Sequence, residues 1–191
     1  MVKARQTTDL LRTDLQQSLA ASAIDVRKLS VFQRILLTTD GMVTEMLEAY
    51  LQEHMVVSKL AQGEARTARV VTELELDEGD AIMHRAILLT GESSHRHHLY
   101  AESAIAVDRL IKPIRDGLLN SRKPIGMLIQ ENRLETFREI LVCEEEPADD
   151  LAEYFGISRD ALLLSRTYRV LAHGHAIMLI TEKFPEQFFM D

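Results

Sequence analysis

Residues 161–185 read ALLLSRTYRVLAHGHAIMLITEKFP, two apolar runs separated by a short polar turn. Both runs are rich in residues that favour extended backbone, and the HGH between them is typical of a hairpin turn. Two strands joined by so short a connection pair antiparallel. This stretch therefore predicts a sheet whose last two strands form an antiparallel hairpin.

Four further β-rich segments precede this hairpin. They are MVVSKLAQ at 55–62, TARVVTELELD at 67–77, AIMHRAILLT at 81–90 and LYAESAIAV at 99–107. Short turns separate them, so antiparallel pairing is again expected. LETFREILVCE at 134–144 fits a strand or a helix, because the period of a short apolar run does not distinguish the two.

Helical periodicity marks most of the remaining chain. The expected helices lie at about 5–20, at 41–54 with Asp40 as N-cap, at 108–120 with Pro113 in its first turn or breaking it, and at 147–156, with a short helix or turn at 121–130. Helices packed against one antiparallel sheet make an α+β domain. The length of 191 residues fits a single domain, 1–191, with the helix at 5–20 as an N-terminal extra.

The composition indicates which class of ligand and which cellular compartment to expect. The single cysteine, Cys143, cannot form an intramolecular disulfide, so a reducing cytoplasm is the simplest location. The N-terminus is charged and amphipathic, unlike a signal peptide, and no apolar run reaches the ~18–20 residues of a membrane span. A net charge of -8 opposes binding to nucleic acid and to anionic lipid. We expect a small-molecule partner, held by a local arginine if it is an anion.

One acidic residue, Glu182, interrupts the last apolar strand. Alternation places it on the same face as Met178, Ile180 and Phe184. A carboxylate in that apolar layer must be paired or take up a proton, a setting suited to acid–base chemistry or to hydrogen bonding a hydroxyl. The alternative is that the strand frays and Glu182 reaches water. The pattern alone does not decide between them.

Arg85 is a basic residue on an otherwise apolar strand face, which it shares with Met83, Ile87 and Leu89. A buried arginine stays charged and requires an anion. The anion is either a carboxylate of the chain, such as Glu182, or a ligand carboxylate gripped by the guanidinium fork. A surface position on an edge strand and a purely structural ion pair also remain open.

Two other arginines lie on opposite faces of one strand. Arg166 shares its face with Leu164 and Tyr168, so it is the better candidate to join Arg85. A surface position for both Arg166 and Arg169 is nevertheless the simpler expectation.

The run HRHHLY at 95–100 invites a metal interpretation, which we disfavour. His95 and His97 would share a strand face, but two histidines do not make a site and no third ligand follows at a recognisable spacing. An exposed hairpin beside GESS explains the run better. The chain also has no Gly-rich phosphate loop and no nucleophile elbow, so covalent catalysis through a serine or Cys143 has no support.

The ordered motifs resemble the chorismate pyruvate-lyase family, in its archaeal and bacterial branch. The resemblance is carried by HRAILLTG, LYAESAIAVDRL, KPIGMLI followed by NRLETFREI, and RTYRVLAHGHAIMLITEKFP, over about 38–184. It implies a single antiparallel sheet of about six strands with helices enclosing a buried ligand cavity. It also implies conversion of chorismate into 4-hydroxybenzoate and pyruvate without a metal or an organic cofactor.

The resemblance also implies site residues. Arg85 corresponds to the arginine that grips the ring carboxylate, and Glu182 to the glutamate that faces the C4 hydroxyl and the departing ether. Ile125 and Gly126 belong to a turn similar to the family's Pro-Leu-Gly, whose middle residue offers its backbone N–H to the carboxylate. Met42 corresponds to the centre of the family's Ser-Met-Thr and would supply another backbone contact, although both flanking residues differ here.

A non-catalytic sensor of aromatic carboxylates is the second interpretation. Ligand-binding domains of one group of bacterial transcription regulators resemble the same fold, but those regulators carry an N-terminal winged helix–turn–helix. Only about 60 residues precede the sheet here, and they lack a basic recognition helix. An enzyme of this fold that acts on a related cyclic enol ether is a third interpretation.

Overall fold

Six strands form one antiparallel sheet in the order β1-β2-β3-β6-β5-β4 in the computed structural model, which describes residues 13–121 and 123–190. The strands are β1 Met55–Arg66, β2 Ala81–Gly91, β3 His97–Ala106, β4 Phe137–Pro147, β5 Leu162–Ala172 and β6 His175–Pro185. The α-helices are α1 Thr13–Ala21, α2 Val31–Thr38, α3 Val43–Leu51, α4 Lys112–Asn120, α5 Ile125–Glu131 and α6 Ala152–Phe155. The predicted α+β class with one antiparallel sheet of about six strands is confirmed.

The terminal hairpin forms as its sequence predicts. His173 and Gly174 both have positive φ, 52° and 82°, which is the backbone of the two-residue turns that suit the twist of paired strands. The pairing of β5 with β6 shifts by one residue between Val170 and Leu171, so a bulge lies close to the turn. Beyond that bulge Arg166 stands directly opposite Glu182.

The chain order brings the third and the last strands together at the centre of the sheet. Strands β1, β2 and β3 follow one another as neighbours, and β4 then starts at the far edge. Strands β5 and β6 return inward, so that β6 pairs with β3. The predicted polar residues of β2 and β6 therefore lie only two strands apart, although they are far apart in sequence.

Local signals explain where the helices begin and end. Helix α2 starts with a capping box, in which Ser30 and Gln33 each accept a hydrogen bond from the other's backbone N–H. Pro113 lies in the first turn of α4, as predicted, where a missing N–H costs nothing. Helix α6 ends at Gly156, whose φ of 65° suits glycine.

Three details of the sequence prediction need correction. Residues 67–77 do not join the sheet; one bridge between Val71 and Leu76 encloses a 3₁₀ turn. Helix α2 was not predicted. Helix α3 starts at Val43 with Met42 as N-cap, so Asp40 is not the cap. Of the helix predicted at 5–20, the structure describes α1, and residues 5–12 lie outside the described part.

Four of the described helices, α2 to α5, cover the face of the sheet that carries the main core, whereas α6 packs in a separate cluster with Leu88 and Tyr100. Side chains from the inner faces of β2, β3, β5 and β6 pack with α2, α3, α4 and α5 in one apolar cluster. Helix α1 packs along the edge strand β4. Among the described residues, no helix combines the length and apolar character needed to cross a membrane.

Candidate active site

A cavity of about 70 Å³ lies between the inner face of the sheet and the N-terminal ends of α3 and α5. All five residues predicted for the site line it: Met42, Arg85, Ile125, Gly126 and Glu182. Its other lining residues are Gly41, Val43, Thr44, Ile87, Leu89, Leu99, Ala101, Ser103, Pro124, Ile129, Arg138, Tyr168, Val170 and Ile180. The structure thus brings the predicted residues together, and their roles stay predictions.

Arg85 is the unusual group of the cavity wall. Its side chain is buried, with the residue only 3% exposed, so it is not a surface residue of an edge strand. None of its three guanidinium nitrogens has a hydrogen-bond partner among the described residues. Burial lowers the pKa of Arg85 from its ordinary value, because this environment solvates the cation poorly. A buried cation without a partner is costly, so the cavity at Arg85 favours the binding of an anion.

Glu182 is buried as well, at 8% exposure, so the strand does not fray there. Its Oε2 accepts a hydrogen bond from Nε of Arg166 at 2.8 Å, and its Oε1 accepts one from the hydroxyl of Tyr168 at 3.0 Å. A guanidinium can only donate, so Arg166 and the carboxyl group of Glu182 form a buried, hydrogen-bonded pair. The structural ion pair of Glu182 is therefore with Arg166 and not with Arg85.

The expectation of a surface position for Arg166 is wrong. The residue is only 1% exposed, and besides Glu182 it donates through a terminal nitrogen to the carbonyl of Thr39 at 2.7 Å. Burial by itself lowers the pKa of Arg166, but the charge and hydrogen bond of Glu182, together with Tyr168 and Cys143, outweigh this and raise the pKa above its ordinary value. Arg166 thus joins the acid of the cavity to the loop that leads into α3. Arg169, on the other face, pairs with Glu139 at 2.5 Å.

Tyr168 extends this buried network to the cavity wall. Burial raises the pKa of its hydroxyl above the ordinary value, and the carboxylate of Glu182 adds to the rise. The hydroxyl therefore remains protonated and donates to Glu182. Sequence reasoning did not select Tyr168, although its place on the face of Arg166 offered the signal.

Arg85 and Glu182 lie on opposite sides of the cavity wall. In the register, Arg85 stands opposite Ser103 of β3, and Ser103 opposite Ile180 of β6. Glu182 is two residues further along β6. Two strand spacings of ~4.8 Å and two residues of ~3.4 Å put the Cα atoms about 12 Å apart on a flat sheet. Both side chains project from the same face of the sheet into the cavity, from points separated by that distance.

Two chain segments cover the cavity, residues 41–44 and residues 124–126. They touch at Gly126, where an added Cβ would lie 3.0 Å from the sulfur of Met42. Met42 is also the N-cap of α3 and forms no side-chain capping bond. The first N–H groups of a helix have no partner within the helix, and they favour negative charge. This cover, residues 41–44 and 124–126, adds to the preference of the cavity for an anion.

The other sequence candidates lie outside this site. His95 sits in the turn between β2 and β3 with a φ of 55°, and Nδ1 of His97 contacts the hydroxyl of Thr90 at 2.8 Å. Within residues 13–121 and 123–190, no group of three acidic, histidine or cysteine side chains is arranged to hold a metal ion. Cys143 is buried, burial raises the pKa of its thiol, and it does not line the cavity.

Known proteins are similar to this chain in sequence, and others are similar in fold. The family model described as "Chorismate pyruvate-lyase Rv2949c-like" matches residues 37–189. A chorismate pyruvate-lyase of Mycobacterium leprae is 32% identical over 168 residues, which cover 87% of this chain and 80% of that protein. One of Mycobacterium tuberculosis is 29% identical over 171 residues, covering 87% and 86%.

Solved structures extend the likeness of fold beyond the family. The effector domain of PhnF from Mycobacterium smegmatis superposes with a TM-score of 0.61 at 15% identity. The match covers 77% of this chain and 90% of that one. At that identity the likeness shows the fold alone. The family match spans most of the chain and includes every residue that lines the cavity, and so the chain belongs to the Rv2949c-like chorismate pyruvate-lyase family.

Proposed function

We propose that this protein is a chorismate pyruvate-lyase, which converts chorismate into 4-hydroxybenzoate and pyruvate. The observation that carries the proposal is Arg85, a buried cation without a partner among the described residues, in a cavity that also holds the carboxylate of Glu182. Membership of the lyase family selects the reaction from those that such a cavity would accept.

The two charged groups define how the substrate lies. Arg85 binds the ring carboxylate through its planar fork, with the backbone N–H groups at Met42 and Ile125 as further donors. The ring then crosses the apolar part of the chamber, lined by Ile87 and Ile180. Its C4 end, with the hydroxyl and the neighbouring ether, reaches Glu182. Held in this way, the substrate loses its water shell and has one orientation.

The reaction requires the movement of only one proton. The C4–H bond breaks, its electrons form the C3–C4 double bond that completes the aromatic ring, and the C3–O bond breaks to release enolpyruvate. Glu182 accepts hydrogen bonds from Arg166 and Tyr168 and lies at the C4 end of the substrate, so we assign it as the acceptor of the C4 proton. The same proton then returns to the enolpyruvate, which becomes pyruvate, so the enzyme ends in its starting state. Aromatisation supplies the driving force, and no cofactor is assigned.

The cover has to yield when a ligand enters. The cavity of about 70 Å³ is smaller than the roughly 150 Å³ of an apolar protein cavity known to take up benzene. The contact between Met42 and Gly126 is made by a flexible thioether side chain, which can move without breaking a backbone hydrogen bond. We therefore assign the adjustment to residues 41–44 and 124–126.

Incubation of the purified protein with chorismate tests the proposal. We expect pyruvate and 4-hydroxybenzoate in equal amounts, above the rate of spontaneous decay, and far less of both with Glu182→Gln at the same concentration. If neither product exceeds the background while 4-hydroxybenzoate still binds, the protein is a sensor. That second candidate is favoured by the similarity of fold to an effector domain.

A further inference from the structure

A second arginine, Arg138 of β4, also lines the cavity. It was not selected from the sequence and lies four strands away from Arg85 in the sheet order, on the opposite side of the chamber. It stands opposite Val170, which lines the cavity too. The chamber is therefore bounded by a cation on each side, with the carboxylate of Glu182 on the central strand between them.

Arg138 belongs to the Glu182 end of the chamber. In the register Ile140 stands opposite Tyr168, so Arg138, two residues earlier on the same face of β4, is a diagonal neighbour of Tyr168. The charge of Arg138 accordingly opposes the rise in the pKa of that hydroxyl. The same hydroxyl is 3.0 Å from Glu182. Arg138 also donates to the carbonyl of Asp40, one residue before the cover.

The inference about Arg138 rests on the proposed function, because chorismate as the substrate requires a cation at the Glu182 end of the chamber. The substrate carries two carboxylates, one on the ring and one on the enolpyruvyl group at C3, next to the C4 hydroxyl. With the ring carboxylate on Arg85 and the hydroxyl at Glu182, the second carboxylate comes close to Glu182. Two carboxylates side by side repel each other unless a cation lies between them. Among the described residues that line the cavity, Arg85 and Arg138 are the cationic ones.

We infer that Arg138 binds the enolpyruvyl carboxylate and so distinguishes the substrate from the aromatic product. 4-Hydroxybenzoate keeps the carboxylate that Arg85 binds and lacks the one that Arg138 binds. Arg138 also stabilises the negative charge of the departing enolpyruvate. When pyruvate leaves, Arg138 no longer contributes to ligand binding, whereas Arg85 still holds the product.

A matched pair of stable ligands tests this assignment. 3-(1-Carboxyethoxy)-4-hydroxybenzoate keeps the second carboxylate, and 3-isopropoxy-4-hydroxybenzoate replaces it with a methyl group. Calorimetry on the wild-type protein should show about tenfold or greater preference for the first ligand, the value of a charged hydrogen bond. In Arg138→Gln that preference should fall to about twofold, with the Kd of 4-hydroxybenzoate changed less than about threefold. Arg138→Lys should retain part of the preference.

Two outcomes overturn the assignment. A wild-type protein without preference for the dicarboxylate contradicts it, whatever the variants do. An Arg138→Gln protein that loses affinity for 4-hydroxybenzoate as much as for the dicarboxylate shows that Arg138 only supports the fold of the cavity. Turnover of chorismate is measured separately, and its absence would count against the proposed function. The ratio of the Kd values of the two stable ligands tests the role of Arg138 alone.

Discussion

Replacement by methionine should have opposite effects on stability at the two most deeply buried arginines, Arg85 and Arg166. Methionine preserves most of the side-chain volume and removes the charge. Arg85 has three guanidinium nitrogens that make no hydrogen bond within the described chain, so its charge is a cost to the unliganded protein. Arg166 holds Glu182 at 2.8 Å and Thr39 at 2.7 Å, so its loss leaves a buried carboxylate without its cation.

The magnitudes follow from these contacts. Relief of an unsatisfied buried polar group is worth about 1–3 kcal/mol, so Arg85→Met should raise the free energy of unfolding by that amount. Breaking a buried ion pair by removing one partner costs about 3–5 kcal/mol, so Arg166→Met should lower the free energy of unfolding by that much. In the double variant Arg166→Met/Glu182→Gln part of the loss should return, because the carboxylate that lost its cation is removed as well.

Urea unfolding at pH 7, with and without 4-hydroxybenzoate, measures all of these effects. At a free ligand concentration of about 100 times Kd, the wild-type protein should gain about 2.7 kcal/mol. Arg85→Met should gain much less from the same ligand concentration, although it is more stable without ligand. A destabilised Arg85→Met protein, or one that the ligand stabilises as much as the wild type, would refute the assignment of Arg85 as an anion-binding group.

Three further outcomes follow from the same contacts. Glu182→Gln should lower kcat for chorismate by about 10²–10⁴-fold, the usual contribution of a general base, with the Kd of 4-hydroxybenzoate within a few-fold of wild type; unchanged turnover in a stopped assay would remove Glu182 from the chemistry. Cys143 should resist a thiol reagent at pH 8 in the folded protein, because burial raises its pKa, and should react at once in urea; rapid labelling of the native protein would contradict the buried position. Burial lowers the pKa of His98, so the contribution of the neutral ring to stability is complete above about pH 6.5 and is lost as the pH falls. Between about pH 6.5 and 5, His98→Phe should therefore lose less unfolding free energy than the wild type. Equal losses would exclude protonation of His98 as the cause.

Strand alternation was sufficient to place the side chains that face the cavity. Arg85 and Glu182 both lie on the apolar face to which the period of two assigned them, and both are buried. The signal was strong because each charge interrupted a run of aliphatic residues. The same alternation put Arg166 beside Tyr168, but it carried no information on what lay across the strand.

The ion pair of Arg166 could not be read from the hairpin, because of the bulge. Counting back from the turn without a bulge would place Arg166 opposite Thr181. The shift between Val170 and Leu171 instead places it opposite Glu182. A one-residue change of register moves a side chain to the other face, so the pair depends on a local irregularity with no clear sequence signal.

Other features depended on contacts between distant segments. Residues 67–77 have the alternation of a strand, yet the segment closes into a loop, in which the hydroxyl of Thr67 donates to the carbonyl of Asp77. Helix α2 is short, and its stability comes from packing and from the bonds of Ser30 and Gln33 to the C-terminal segment. The pairing of β3 with β6, which places Arg85 and Glu182 in one chamber, joins segments about 80 residues apart and has no local signature.

A crystal structure of the protein with 4-hydroxybenzoate is the most direct test of the central claim, that a buried cation and a buried carboxylate grip opposite ends of one flat ring. The account predicts the ligand carboxylate within about 2.7–3.2 Å of the Arg85 guanidinium and the ligand hydroxyl at the same range from Glu182. A ligand bound outside the cavity, or inside it with its carboxylate turned away from Arg85, would contradict the account.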